Sequence, residues 1–353
     1  MRQELHSQLN NLMVFRSLFS LAQIAGYLRG FPVTINMLIT SCCNLRCEIC
    51  SAKGLMKDER ELTSGQIIDF IKKIAVFKPA LFFGGGEPFA RKDIFEILKA
   101  VKAHRLKYGI VTNGTLLDSY AIDRLMETEP QIIIFSVYGE EAMHDAITGH
   151  SGAFKKLFDA VRYVIAQRKK TYVLLNSVIN EKNYKDAEKI VRLGKRLGVD
   201  RIRFEQLIFL THDEYSRHKR ECVDKGFSQG SNLATYLKEM DNEDIGKELV
   251  GIFRGLRRRY GSFVIFKPHL SSDELSAWYK NNFLFKRKCM FIKHSVFVMP
   301  NGDITPCQFF PDCVLGNVTT DGLLQVWKGE KRRVFNSIIG KELLPGCMRC
   351  CKL

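Results

Sequence analysis

Six short apolar runs alternating with amphipathic stretches, and eleven cysteines gathered mostly at two places, predict an α/β protein. Its centre is a partial six-unit barrel, followed by a helical bridge and a small thiol-rich C-terminal domain. The apolar runs are VTINMLIT (33–40), ALFFGGG (80–86), YGIVTNG (108–114), QIIIFSVYG (131–139), TYVLLNSVIN (171–180) and DRIRFEQL (200–207). Each is rich in Val, Ile and Phe and too short for a helix. Between them apolar residues recur at helical spacing, as Ile67, Ile68, Ile71 and Ile74, then Ile94, Ile97, Leu98 and Val101, and again over 117–127, 153–168 and 183–197. Continuous apolar strands alternating with amphipathic helices make a parallel sheet of βα units. Six units ending near residue 207 suit a partial, TIM-like (β/α)6 barrel better than a closed eightfold one. In such barrels the chemistry sits on the loops after the carboxyl ends of the strands.

Composition sets the remaining bounds. A chain of 353 residues with 46% hydrophobic and 26% charged residues reads as an ordinary globular protein, of one large domain plus an appendage or of two domains. The formal charge of +16 admits nucleic acid, an anionic membrane or an anionic substrate as partner. Basic runs at 254–261, 286–288 and 330–333 lack a nucleic-acid module and interleaved aromatics, so a nucleic-acid partner is not expected. The cysteines lie at 42–50 and 289–351 with only Cys222 between, and the chain opens without a cleavable signal or an apolar run long enough to span a bilayer. Clustered thiols in a cytoplasmic protein point to metal rather than to disulfides.

The elements follow in order. Residues 1–30 form a separate N-terminal segment; within it, 8–28 read as an apolar helix interrupted by Arg16, Ser20 and Gln23. It either closes the barrel's flank or lies on the inner face of the membrane. The barrel spans 31–210. After its first strand comes TSCCNLRCEIC (40–50), where Cys43, Cys47 and Cys50 give C-x3-C-x2-C and Cys42, Cys47 and Cys50 give C-x4-C-x2-C. Either frame offers three local thiols. A structural zinc site normally needs four, so a site with one open position fits better. After the second strand comes the turn GGGEP (84–88), which lacks the Lys-Ser/Thr of a phosphate loop. Asn113 closes the third strand and Ser136 lies near the end of the fourth. Residues 211–286 follow neither beat and read as a mostly helical bridge covering the barrel mouth, with His212, His218 and His269 as possible ligands or acids. In 287–353 the PNGDI turn signals a hairpin flanked by Cys289 and Cys307, and Cys347 and Cys350 form a C-x2-C. Two such pairs make a four-thiolate site that zinc or an iron–sulfur cluster can occupy.

The cysteine loop resembles that of the radical S-adenosylmethionine (radical SAM) superfamily, whose hallmark C-x3-C-x2-C is matched by Cys43, Cys47 and Cys50. The resemblance implies that these thiolates hold three irons of a [4Fe–4S] cluster, that SAM chelates the fourth, and that Cys42 lies outside the set. Ile49 stands where the family usually has an aromatic residue. GGGEP is similar to the family's GGEP motif, which implies that Gly85 and Gly86 let the backbone approach SAM and that Glu87 accepts from its ammonium group. VTNGT (111–115), FSVYG (135–139), HDAITGHSGAF (144–154) and LLNSVINEKN (174–183) resemble the segments that follow, making Asn113 and Ser136 candidate contacts of SAM and Asn176 a candidate contact of SAM or substrate. The pattern C-x12-G-x4-C with the terminal C-x2-C resembles the SPASM/Twitch domain, which implies an auxiliary [4Fe–4S] cluster on Cys289, Cys307, Cys347 and Cys350. Full SPASM domains carry more cysteines after the C-x2-C, so one auxiliary cluster is expected, with Cys313 and Cys351 as spares and Cys222 as a buried apolar thiol. Gln308 stands where anaerobic sulfatase-maturating enzymes place an aspartate base, and a carboxamide cannot take a proton. Oxidation by that route would then need a base from Glu205, His144 or another group.

The resemblance implies an enzyme that reductively cleaves SAM to a 5'-deoxyadenosyl radical, which abstracts hydrogen from substrate. The electron comes from a donor such as flavodoxin or ferredoxin. The basic surface, Gln308 and the short N-terminal segment lean towards a small or lipid-linked anionic substrate. Maturation of a ribosomally made peptide is the alternative, and a zinc-binding nucleic-acid protein a remote one.

Overall fold

A computed structural model describes residues 30–50, 52, 60–227 and 231–353. The expected helix at 8–28 lies outside the described residues. Ten strands follow in chain order: β1 (Thr34–Leu38), β2 (Ala80–Gly84), β3 (Tyr108–Thr112), β4 (Ile132–Ser136), β5 (Tyr172–Ile179), β6 (Arg201–Gln206), β7 (Val264–Lys267), β8 (Ser295–Val298), β9 (Asp303–Thr305) and β10 (Gly316–Asn317). They form one sheet in the order β10-β9-β8-β1-β2-β3-β4-β5-β6-β7. All neighbours from β8 through β7 pair in parallel, and β9 and β10 add antiparallel.

Helices α1 (Ser64–Ile74), α2 (Ile94–Ala103), α3 (Ser119–Glu127), α4 (Glu141–Thr148), α5 (Ala153–Gln167) and α6 (Ala187–Leu197) connect the first six strands. Each lays an apolar stripe on the outer face of the sheet, where Ile71, Leu98, Val161 and Ile190 meet Ile35, Phe83, Ile133 and Phe204 in a single core. The local signals agree with the fold: Thr63 and Gln66 form a capping box at the start of α1, and Gly198 ends α6 with φ +75°. The inner face carries its own small cluster of Ile132, Ile134 and Leu174, with Phe82, Val111, Tyr172 and Ile265 packed against it. Residues from β2 and β7 meeting in that cluster show how far the sheet curls.

Two features extend the expected six units. The stretch 211–286 contains α7 (His212–Asp224), α8 (Glu243–Tyr260) and α9 (Ser272–Ala277), as a bridge should, but it also supplies β7 beside β6. At the opposite edge β8, whose four residues are all buried, docks in parallel on β1, so the C-terminal hairpin continues the barrel sheet. An apolar strand finds its missing partner at an open sheet edge, which local sequence cannot announce. A one-turn helix α10 (Phe291–His294) precedes β8, and α11 (Leu323–Lys328) and α12 (Glu330–Ile339) follow the hairpin.

Candidate active site and auxiliary thiol cavity

The loop after β1 is held from three sides. Arg91 donates to Ile39 O at 2.7 Å and Leu62 O at 2.9 Å while gripping Asp93 through two contacts of 2.8 Å. The Arg91 guanidinium holds the Asp93 carboxyl below its ordinary range. Glu61 Oε1 accepts from Ser41 N at 2.6 Å and from the Thr40 and Ser41 hydroxyls. Farther along, Arg46 N and Glu48 N donate to Thr148 O and Ile147 O at 3.2 and 3.0 Å, so the HDAITGH stretch clamps the cysteines from the α4 side.

Gly86 shows why this turn excludes side chains. Its N–H donates to Thr40 O at 2.8 Å, and Glu87 N donates to Cys42 O at 2.8 Å. A Cβ on Gly86 would stand 2.0 Å from Cys42 O, and one on Gly85, whose φ is +124°, 2.4 Å from Thr40 O. The glycines therefore let the turn dock on the cysteine loop itself. Glu87 is also committed inward: Oε1 accepts from Thr112 Oγ1 at 2.7 Å and Phe89 N at 3.2 Å, and Oε2 from Asn113 N at 2.7 Å. Burial lifts its carboxyl to about 7 against these donors. One lone pair of Oε2 is left for anything further.

Asn113 works on the same loop. Its Nδ2 donates to Asn44 Oδ1 at 3.0 Å and lies 4.0 Å from Cys43 Sγ, which also receives Leu45 N at 3.5 Å. Burial raises the Cys43 thiol above its ordinary range, and the Leu45 and Asn113 donors work against that rise. Tyr138, which the motif comparison passed over, lies beside two more of the cysteines. Burial first, then Cys47, raises its phenol; Ser136 hydrogen-bonds it, and Cys50 and Glu205 add to the rise. His144 lies behind Tyr138, between that ring and Phe154, and accepts Tyr138 N at 3.3 Å. Burial holds its imidazole down to about 4, and its place behind Tyr138 suits holding the loop better than serving as a base.

The inner face changes from apolar to polar towards the carboxyl ends of the strands. Two residues beyond Ile134, Leu174 and Ile265 stand Ser136, Asn176 and Lys267, with Arg203 and Glu205 on β6. Arg203 Nε donates to Asn176 Oδ1 at 2.6 Å and pairs with Glu205 Oε1 at 3.0 Å. Burial first, then Arg203, pulls the Lys267 ammonium down to about 8.

A second group of thiols lies beside this face. Cys289, Cys307, Cys347 and Cys350 line one cavity with Gln308, Phe309, Phe310 and Phe335. Burial foremost, with Cys289 adding, pushes Cys307 up to about 12, and Cys347 is raised likewise by burial and then by Cys307 and Cys289. Four shielded thiols, two of them buried and two half-buried, become thiolates together only when a cation supplies the missing charge, which is the donor chemistry of an iron–sulfur cluster. Among the described residues no three His, Cys, Asp or Glu side chains gather closely enough to hold a single metal ion. The four thiols surround a space instead. Cys351 hydrogen-bonds Cys350 and is within electrostatic reach of Glu205 and Arg203, so the cavity and the inner face adjoin. Buried Arg349 sets the terminal C-x2-C in place: it donates to Glu214 Oε2 at 2.6 Å, Trp278 O at 2.8 Å and Lys280 O at 2.5 Å. Of the expected histidines, His212 pairs with Glu239 at the surface, and His218 is buried with Gly346 N donating to its Nδ1 at 3.2 Å. Buried Cys222 lies 3.4 Å from His218 Nε2.

The profile of the radical SAM superfamily matches residues 37–194, and that of the SPASM iron–sulfur cluster-binding domain matches residues 289–351. The chain belongs to the radical SAM superfamily. It is a radical SAM enzyme with a SPASM-type domain, and the family brings SAM, a [4Fe–4S] cluster and auxiliary iron–sulfur chemistry. Its relatives include an AdoMet-dependent heme synthase of Methanosarcina barkeri, 25% identical over 91% of this chain and 88% of that one. A PqqA peptide cyclase of Methylocella silvestris is 25% identical over 91% of this chain and 80% of that one. In fold the chain is similar to Streptococcus suis SuiB bound to its precursor peptide SuiA, with a TM-score of 0.66 and 16% identity over 94% of this chain and 79% of that one. No helix among the described residues is long and apolar enough to cross a membrane.

Proposed function

We propose that this radical SAM enzyme reductively cleaves SAM and abstracts hydrogen from a small anionic substrate seated on the inner face of the sheet. In this reading Cys43, Cys47 and Cys50 hold the SAM-binding cluster, and Cys289, Cys307, Cys347 and Cys350 hold one auxiliary cluster. The observation that carries it is the position of Glu205. Glu205 is within electrostatic reach of Tyr138, as Cys47 and Cys50 are, and also of Cys351, which hydrogen-bonds Cys350. A substrate between the two thiol groups is thus within reach of both. SAM supplies the radical, and an electron enters from a donor of the flavodoxin or ferredoxin type.

The chain's own residues orient and shield. Asn113 and Leu45 direct N–H groups at Cys43, and Ser136 and Asn176 offer polar contacts at the strand ends to SAM or substrate. Gly85 and Gly86 press the turn against the cysteine loop, leaving its carbonyls and Glu87 as neighbours for an amine. Gln308 lines the auxiliary cavity without offering a base.

Anaerobically purified protein should hold about eight irons, four per cluster. After reduction with SAM it should release 5'-deoxyadenosine. Deuterium passing from a labelled small acid into 5'-deoxyadenosine supports the reading; reduced, iron-loaded protein that leaves SAM intact overturns it. A second reading, peptide maturation, is favoured by the similarity to the PqqA peptide cyclase and to peptide-bound SuiB. Deuterium transfer from a peptide, with none from small acids, decides for it.

A further inference from the structure

On the inner face of the sheet two cations stand against one carboxylate. Lys267 on β7 lies directly opposite Glu205 on β6, and Arg203, two residues before Glu205, lies opposite Asn176 on β5. Along β6 the alternation is regular: Ile202 and Phe204 enter the core beneath the helices, which turns Arg203 and Glu205 to the inner side. Arg203 spends its Nε on Asn176 and Glu205, and the Arg203 and Glu205 side chains are only 22% and 19% exposed. Among the described residues, the two terminal nitrogens of Arg203 and the ammonium of Lys267 have no hydrogen-bond or ion-pair partner. A shielded cation without a partner is costly, because water no longer solvates it fully and nothing replaces the water. Among the strand residues of this face two cations stand against one anion, and Lys352, also within electrostatic reach of Lys267, adds to the positive side.

From this geometry we infer that Arg203 and Lys267 form an anion subsite that holds a single carboxylate of the substrate, with Glu205 and Asn176 fixing the guanidinium that receives it. The inference rests on the proposed placing of substrate on this face and adds the chemical class of its anchoring group. A guanidinium offers a planar fork of donors that matches a planar carboxylate, and the ammonium supplies a second charge from the neighbouring strand. The planar guanidinium fork matches a planar carboxylate in shape better than a tetrahedral phosphate, which is the ground for preferring a carboxylate. The apolar layer of Ile134, Leu174 and Ile265 closes the floor beneath. A carboxylate seated above that floor leaves the rest of the molecule pointing out towards the cysteine loop, where the reacting hydrogen belongs.

The test uses the anaerobic holoenzyme with SAM bound and benzoate as probe, with benzamide and phenyl phosphate as comparators, read by calorimetry. Benzoate should bind, benzamide should not, and phenyl phosphate should bind more weakly than benzoate. Arg203→Gln and Lys267→Met should each weaken benzoate at least tenfold, while SAM affinity and iron content stay as in the parent. The charge-retaining variants Arg203→Lys and Lys267→Arg should recover part of the loss, which a merely misfolded site would not do. Benzoate binding that is absent, or equal in parent and variants, overturns the inference. So does a pattern in which the variants lower SAM affinity, placing the pair at the SAM carboxylate, or lower iron content, placing it at the auxiliary cluster. SAM cleavage by the parent tests the proposed function separately, so either idea can fail alone.

Discussion

Cys42 and Cys43 are adjacent and chemically identical, yet their sulfurs meet different surroundings. Cys43 Sγ receives N–H groups from Leu45 and Asn113, whereas Cys42 is tied through its carbonyl to Glu87. Cys43→Ala should therefore abolish SAM cleavage, and Cys42→Ala should retain most of it; 5'-deoxyadenosine yield from the two variants checks this. The opposite result would assign the other frame. Gly86→Ala is the backbone counterpart, because its Cβ would meet Cys42 O at 2.0 Å. Overpacking of this kind costs about 1–3 kcal/mol, and here the displaced partner is the cysteine loop, so iron incorporation should fall together with thermal stability. His144 gives the pH dependence. Its folded value is depressed from 6.5 to about 4, so it favours folding above 6.5 and loses that contribution as pH falls towards 4. Between pH 7 and 5.5 the loss amounts to about 1 kcal/mol. His144→Gln, which keeps an acceptor for Tyr138 N, should flatten the fall by that amount in urea unfolding of the protein at the two pH values.

At the scale of elements, the terminal C-x2-C depends on a helix far away in sequence. Glu214 both caps α7 with Thr211 and accepts from Arg349, and these two side chains are 3% and 2% exposed. Breaking a buried pair of this kind strands one charge and costs about 3–5 kcal/mol. Arg349→Met should lower the melting temperature and reduce iron from about eight to about four per chain, because Cys347 and Cys350 lose their anchor. Adding Glu214→Leu removes the stranded carboxylate and should return part of the stability. A full iron complement in Arg349→Met would mean that the C-x2-C is positioned by its own turn. Two of the three histidines expected as possible ligands or acids have structural partners, Glu239 for His212 and Gly346 for His218.

For the molecule as a whole, the two thiol groups are built by different parts of one sheet. The loop after β1 is clamped by α4 and Arg91, while the auxiliary cavity is lined by the segments flanking the hairpin of β8 and β9, by α12 and by the terminal turn. The triple variant of Cys43, Cys47 and Cys50 to Ala should thus fold and keep about four irons. A count near zero would show that one cluster is needed to build the other site, and a count near eight would require a second auxiliary cluster.

Much of this was legible in the chain. Strands β1 to β6 and the helices between them were written in short Val-, Ile- and Phe-rich runs and helical spacing, since a doubly covered strand and a one-sided helix each impose their own period. The spacing of Cys43, Cys47 and Cys50 and the glycine turn marked the loop, because local geometry binds residues that are near in sequence. The role of the glycines was legible only in part: their missing side chains admit the carbonyls of Thr40 and Cys42, which lie in another strand's loop. Tertiary structure alone decided that β7 and β8 extend the sheet at its two edges, that Arg349 reaches Glu214, and that Arg203 and Lys267 share a face with one carboxylate between them. Those pairings join residues separated by up to hundreds of positions and rest on edge pairing, burial and charge, none of which has a period that a local stretch of sequence can carry.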